Sequence, residues 1–295
     1  MTNISKELSG VKRNVRLASY TTFKIGGPAK YFFVAKTKED LIEAVKTANK
    51  LRLPFFILGG GSNILVSNKG FNGLVIKFGQ PLSAYVSKGL EWAVGIPGTI
   101  QGAVWGNAGA FKKSMKDVVE SVEVFDIKTG KVKIFKNKDC RFSYRNSIFR
   151  KKKNLIILSV KIKPKKSSSK KIKQYLDSRK KTQPLSFPSA GSIFKNKKLK
   201  IKNKKLLKEF PELKEFNKRK LIPAGFLIEK CNLKGRRIEN VKISEKHANF
   251  IVNLGQGRAK DVKKLINLAK QKVKNKFKIK LEEEISILSK STNRR

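Results

Sequence analysis

The chain has 295 residues, 39% of them hydrophobic, enough for two domains, or one large one, with real cores. Its 69 Lys and Arg against 21 Asp and Glu give a formal charge of +48; spread along the whole chain rather than gathered in a stripe, these lysines argue against a specific nucleic-acid surface and for long-range attraction of anionic ligands. Two cysteines, Cys140 and Cys231, exclude a disulfide framework, and a single histidine, His247, speaks against a zinc or triad enzyme.

In chain order, Met1 to Gly10 is polar and lacks an apolar signal core. No later run approaches the ~18 apolar residues of a membrane span, so a cytoplasmic protein without membrane insertion is expected. Thr21 to Ala29 is a turn-rich opening, and Lys30 to Ala35 reads as a strand. Thr37 caps a helix, with Asp40 three residues on and Leu41, Val45 and Ala48 as its apolar stripe. Pro54 ends it, and Phe55 to Leu58 is a buried strand that runs into Gly59-Gly60-Gly61-Ser62-Asn63 and a second apolar run, Ile64 to Val66. Three successive glycines suit a backbone that must turn or approach something closely. Two readings stand: a glycine-rich hairpin, or a cradle of N–H groups for a diphosphate. It is neither G-x-G-x-x-G nor a P-loop.

Gly73 to Phe78 reads as another strand, and Gly95 to Ala110 as a second small-residue segment. In it Pro97-Gly98 marks a turn, and Thr99 to Trp105 a short helix whose N-terminal N–H groups suit a phosphate. A packed helix crossing would equally require small residues. Val122 to Ile127 and Lys131 to Phe135 form a hairpin through Thr129-Gly130. Leu155 to Ile162 is a strand, Pro164 to Lys171 a Lys/Ser linker, and Ile172 to Lys181 a basic helix. A second region opens at Gln183. Lys197 to Lys220 reads as a lysine-rich surface insertion, Ala224 to Cys231 as a helix, and Asn249 to Asn253 as a strand. Asp261 to Phe277 is a long amphipathic helix with Val262, Leu265, Ile266, Ala269, Val273 and Phe277 on one face. A last strand, Leu281 to Leu288, carries Glu282, Glu283 and Glu284; alternation puts Glu282 and Glu284 on one face. Three adjacent carboxylates favour raising one pKa.

Seven of these segments stand in an order that resembles the UDP-N-acetylenolpyruvoylglucosamine reductases, the MurB family of peptidoglycan synthesis, in the form without the extra tyrosine loop. They are Thr22 to Ala29, Gly59 to Val66, Gly95 to Gly109, Tyr144-Arg145-Asn146-Ser147, Ser189 to Asn196, Ala224 to Asn253 and Leu281 to Ile285. The resemblance implies an α+β chain: an FAD-binding domain of the vanillyl-alcohol-oxidase type over 1–165, a basic linker and helix over 166–182, and a C-terminal α+β substrate-binding domain over 183–295. It implies NADPH-dependent reduction of the enolpyruvyl ether of UDP-N-acetylglucosamine to UDP-N-acetylmuramate through FAD, and with it a part in cell-wall biogenesis, cell shape and division. A UDP-sugar and NADPH would be its small-molecule partners.

The residues that match the family's motifs carry its roles by that resemblance. Arg145 binds the substrate carboxylate, Ser192 donates a proton, and Glu284 hydrogen-bonds the developing enolate. The FAD contacts fall on Gly59, Gly60, Gly61, Ser62 and Asn63, on Pro97, Gly98 and Thr99, and on Asn107, Ala108 and Gly109. Lys195 and Asn196 fall to the substrate, and His247 to structure. No histidine or cysteine lies in either glycine-rich segment, so the FAD is expected to be non-covalent. The chain departs from the family in a shortened Gly79 to Lys88, in Gln101 where glycine is usual, at Trp105-Gly106, and in Lys197 where proline is favoured. Another flavoprotein on the same fold is the rival enzyme. A basic nucleic-acid binder is the rival of another class, and it would need clustered cations with interleaved aromatics.

Overall fold

The computed structural model describes residues 4–289. In the N-terminal part, Pro28–Val34, Phe71–Lys77 and Phe55–Leu58 form a parallel sheet, with Lys12–Arg16 antiparallel at one edge. The helix Lys38–Lys50 crosses over between Pro28–Val34 and Phe55–Leu58. It starts where expected: the Thr37 hydroxyl accepts from Asp40 N–H, and the Asp40 carboxylate accepts in turn from Thr37 N–H, both at 3.1 Å. Leu41, Ala44, Val45 and Ala48 are buried beneath it. The helix stops at Lys50, before Pro54.

A second sheet is antiparallel, with Val119–Asp126 between Lys131–Lys136 and Leu155–Ile162. The hairpin is the one expected, and Gly130 takes its positive φ of 67°. The third sheet runs Ser189–Ser192, Phe250–Asn253, Val241–Ile243, Arg237–Ile238. Against this region lies the helix Ala259–Phe277, with the six residues of the expected face all buried.

Three expectations are corrected. The last strand is only Ser286–Leu288; Leu281 to Ile285 is irregular apart from a bridge between Glu283 and Phe194. Lys197 to Lys220 is not a surface insertion. It holds the helices Lys204–Glu209 and Glu212–Lys218, whose Leu206, Phe210 and Leu213 recur at spacings of four and three and are buried with Ile201 in the C-terminal core. Nor is 164–168 a free linker: the Ser167 hydroxyl accepts from Gly89 N–H at 2.8 Å and donates to the Val86 carbonyl at 2.5 Å. The basic helix that follows is longer than expected, Ser169–Thr182, and its buried Arg179 donates to the Trp92 carbonyl at 3.1 Å.

The shortened segment is closed by short 3₁₀ turns, Leu82–Lys88 and Glu91–Ala93, around the buried Leu82, Leu90 and Trp92. Gln101 explains how. Its buried amide accepts from Gln80 N–H at 3.0 Å and donates to the Leu158 carbonyl at 3.2 Å, so one side chain satisfies two backbone groups that a glycine would leave bare.

The N-terminal and C-terminal parts of the chain meet at the first glycine loop. Ser286–Leu288 pairs in parallel with Ile64–Val66, directly after Asn63. Phe23, Ile25 and Leu65 are buried in the same core as Ile193, Phe194 and Ile285.

Candidate active site

The site is assembled on three supports. The first is the turn at Ser143 to Asn146, whose end residues exchange backbone hydrogen bonds of 3.0 and 3.1 Å. Arg145 sits in it at φ +54°, a left-handed conformation that costs a non-glycine residue roughly 1 kcal/mol or more. Neighbours hold it there. Arg150 donates to the Arg145 carbonyl at 3.0 Å, and its guanidinium lies 4.8 Å above the Trp105 ring. Asn107 donates to the Ser143 carbonyl at 2.8 Å, and the buried Ser147 donates to the Trp105 carbonyl at 2.7 Å. The helix Ile100–Gly106 and its cap thus carry the arginine.

The second support is the strand Ser189–Ser192 and the residues after it. Gly191 turns at φ +72°, and Ser192 pairs with Phe250. Asn249 clamps the next two residues: its carbonyl accepts from Ile193 N–H, its side-chain oxygen accepts from Phe194 N–H, and its amide donates to the Phe194 carbonyl, at 2.8 to 2.9 Å. Among the described residues the Ser192 hydroxyl has no hydrogen-bond partner.

The third support is the segment before the last strand. Glu284 N–H donates to the Ile193 carbonyl at 2.8 Å, which sets Glu284 beside the Ser192 strand. The Asn63 amide donates to the Glu284 carbonyl at 3.3 Å, tying the first glycine loop to the same residue. Glu284 Oε1 stands 2.5 Å from Arg145 Nε, an ion pair with side chains 15% and 23% exposed, though the N–H is not aligned for a hydrogen bond.

Burial pushes the Glu284 carboxyl above the usual carboxylate range; Arg145, Arg150 and Lys195 pull it back only in part. The expectation of a raised pKa holds, but its cause is corrected. The three glutamates diverge to separate cations, Glu282 to Lys197, Glu283 to Lys270 and Glu284 to Arg145, and do not crowd one another.

A cavity of about 380 Å³ adjoins this cluster, lined by Ser143, Tyr144, Lys195, Asn196, Lys197, Lys198 and Glu282. Tyr144 accepts from Asn196 N–H at 3.1 Å, and Lys198 Nζ lies 5.2 Å over its ring. The Asn196 side-chain oxygen is occupied by Ala224 N–H at 3.1 Å, which leaves its amide for a ligand. A wider hollow of about 680 Å³ lies around Lys198 to Lys200 and Arg219 to Leu221. It lacks any carboxylate or hydroxyl lining residue, which the smaller one has in Glu282, Ser143 and Tyr144.

The two glycine-rich segments lie against each other. A Cβ on Gly60 would stand 2.6 Å from Gly98 Cα, and one on Gly61, at φ +64°, only 2.1 Å from the Tyr20 carbonyl oxygen. Among the described residues the N–H groups of Gly60, Gly61 and Ser62 reach no protein acceptor. Consecutive free N–H groups on a side-chain-free backbone are what a diphosphate requires, so the loop fits FAD. Pro97, Gly98 and Thr99 stand beside it, with Thr99 capping the helix by accepting from Gly102 N–H at 3.2 Å. Asn107, Ala108 and Gly109 stand apart in kind. The Asn107 side chain is taken up by Ser143 and by Lys116 N–H, and Ala108 N–H donates to Ala103.

His247 is structural in its setting. Nδ1 accepts from Asn249 N–H at 3.2 Å, the ring packs on Phe250, and burial lowers its pKa. Arg150 and the Asn63–Glu284 link escape sequence reasoning. An arginine in so basic a chain carries no signal of its own; only its position five residues beyond Arg145 points to it.

Residues 29–88 match the model of an FAD binding domain, and residues 183–288 match that of the UDP-N-acetylenolpyruvoylglucosamine reductase C-terminal domain. The chain is 39% identical to the UDP-N-acetylenolpyruvoylglucosamine reductase of Caldicellulosiruptor bescii over 92% of this chain and 88% of that protein. It is 35% identical to the one from Anoxybacillus flavithermus over 94% of each. The crystal structure of a reductase of this name from Thermus caldophilus superposes with a TM-score of 0.74 at 32% identity, covering 94% of this chain and 98% of that one.

Proposed function

The chain belongs to the UDP-N-acetylenolpyruvoylglucosamine reductase family, and on that premise we propose that Arg145, Ser192 and Glu284 carry its reaction. It is an FAD-dependent oxidoreductase that reduces the enolpyruvyl ether of its UDP-sugar with NADPH, in peptidoglycan synthesis. The observation that carries the assignment of residues is the Arg145–Glu284 ion pair, half-sealed from water, anchored on one side to the Ser192 strand and on the other to the glycine loop.

When bound, FAD would supply the hydride chemistry that links NADPH to the far carbon of the enolpyruvyl double bond. Gly60, Gly61 and Ser62 would hold its diphosphate, beside Pro97 to Thr99. The Arg145 guanidinium binds the substrate carboxylate and stabilises charge gathering there. Glu284, whose burial favours the protonated carboxyl, is placed to hydrogen-bond the same oxygens as they become enolate-like. Ser192 Oγ, free of protein partners, gives its proton to the near carbon. The diphosphate of the UDP-sugar meets the cations of Lys195, Lys197 and Lys198 in the 380 Å³ cavity.

We read 1–165 as the FAD-binding domain, 166–182 as the connection and 183–295 as the substrate-binding domain. The site and its ligands are those of a cytoplasmic enzyme, since UDP-sugars and NADPH are cytoplasmic metabolites. Among the described residues no helix is long and apolar enough to cross a membrane. The charge attracts anionic ligands at long range and implies no specific nucleic acid.

The test is stoichiometry. Purified yellow protein, given the enolpyruvyl UDP-sugar, should oxidise one NADPH per product two hydrogens heavier than the substrate. NADPH oxidation with the UDP-sugar recovered unchanged would sink the assignment.

A further inference from the structure

Lys77 closes the strand Phe71–Lys77 and pairs with Leu58, the last residue before the glycines. Its side chain turns toward the glycine loop, and Nζ donates to the Gly59 carbonyl. That is the ammonium's single hydrogen bond among the described residues, and no carboxylate pairs with it there. A lysine has three donors and a full charge, and one carbonyl compensates neither. Burial pushes its pKa down, with no neighbouring charge offsetting the effect. Arg145, Lys195 and Lys197 each face a glutamate; a half-buried lysine without one marks a place where negative charge comes from outside.

The geometry of the peptide plane says where. In a trans peptide the carbonyl and the following N–H point to opposite sides. Pinning the Gly59 carbonyl toward Lys77 therefore turns the Gly60 N–H the other way, out of the sheet side of the loop. The Gly60 N–H is the first of the three that find no protein acceptor. Glycine has no side chain to hold this orientation, and a glycine triplet left to itself samples many. The lysine thus does two things at one peptide: it fixes the plane, and it places a positive charge behind a dipole whose positive end faces outward.

We propose that Lys77 is a positioning residue for the FAD diphosphate, orienting the Gly59–Gly60 peptide and supplying the positive charge behind it. It touches neither substrate nor the reacting atoms, so its effect falls on cofactor retention. A hydrogen bond to a charged group is typically worth enough that its loss changes affinity by about 10- to 100-fold.

The experiment compares wild-type holoprotein with Lys77→Met and Lys77→Arg, following the rise in flavin fluorescence as FAD leaves after dilution, at several salt concentrations. Lys77→Met should release FAD ~10 to 100 times faster than wild type, and its release should depend less on salt. Lys77→Arg, which keeps charge and donor, should recover most of the retention. The unfolding temperature of Lys77→Met stripped of FAD should not fall below that of stripped wild type, because the substitution removes a buried charge that lacks a counter-ion. Retention unchanged in Lys77→Met overturns the proposal. So does faster release with an unaltered salt dependence and a lower unfolding temperature of the stripped protein, which would make Lys77 a packing residue. If Lys77→Met fails to fold, Lys77→Arg decides: retention lost there overturns the proposal, and retention kept supports it. Catalytic failure with normal FAD retention would bear on the reductase assignment and not on Lys77.

Discussion

Removing the arginine from the Arg145–Glu284 pair, as Arg145→Met, leaves a carboxyl with little water and no counter-ion. At 2.5 Å and an effective dielectric of about 20 the attraction is about 6 to 7 kcal/mol. Desolvation outweighs it, as the raised pKa of Glu284 indicates. With side chains still 15% and 23% exposed, the expected loss is about 2 to 3 kcal/mol, below the ~3 to 5 of a fully buried pair. Glu284→Gln should cost less, and the double variant should cost about 1 to 2 kcal/mol less than the sum of the two. The pH dependence is set by the direction of the shift. With its folded pKa above the unfolded value, Glu284 holds a proton in the folded chain that the unfolded chain gives up. Its contribution is therefore complete below the unfolded pKa and is lost as pH rises through the folded pKa. Losing Arg145 raises the folded pKa further, so Arg145→Met should lose stability between pH 5 and 8 more steeply than wild type. Urea unfolding of all four proteins, followed by tryptophan fluorescence at pH 5 and 8, measures both. Strictly additive single losses, or an Arg145→Met pH profile parallel to wild type, would refute the reasoning.

Three further outcomes are expected. Gly60→Ala puts a Cβ 2.6 Å from Gly98 Cα, so the two glycine loops must part; the protein should fold but retain little FAD, seen as loss of the flavin absorbance on gel filtration. Gln101→Ala leaves the Gln80 N–H and the Leu158 carbonyl without partners and should cost about 1 to 3 kcal/mol in urea unfolding. Asp126, held at a pKa of about 2 by Lys133 and Asn154, contributes stability that is present above the unfolded value of 3.8 and lost as pH falls through about 2. Asp126→Asn should therefore cost roughly 1 to 2 kcal/mol at pH 7, discounted for the solvent reaching Lys133, and progressively less as pH falls toward and below about 2.

The features legible in the sequence were local. The Thr37–Asp40 cap, the hairpin through Gly130 and the buried face of Ala259–Phe277 all depend on residues within a turn or two of one another. Lys197 to Lys220 misled because its lysines outnumber its apolar residues, although Leu206, Phe210 and Leu213 already keep a helical period. Glu284 was found by motif, but the origin of its pKa could not be. That origin is burial beside Arg145, 139 positions away in the chain and brought near by the fold. Asn63 and Glu284 lie 221 positions apart, and no periodicity or spacing encodes a contact at that range.

The most direct measurement of the central claim separates the two half-reactions in Ser192→Ala by rapid-mixing absorbance at the flavin band. Bleaching by NADPH requires no proton from Ser192 and should proceed at the wild-type rate. Reoxidation by the enolpyruvyl UDP-sugar leaves a carbon that must be protonated and should slow at least ~10²-fold, the lower end of what a positioned general acid supplies. Wild-type reoxidation in Ser192→Ala would contradict the account and reduce Ser192 to the end of a strand.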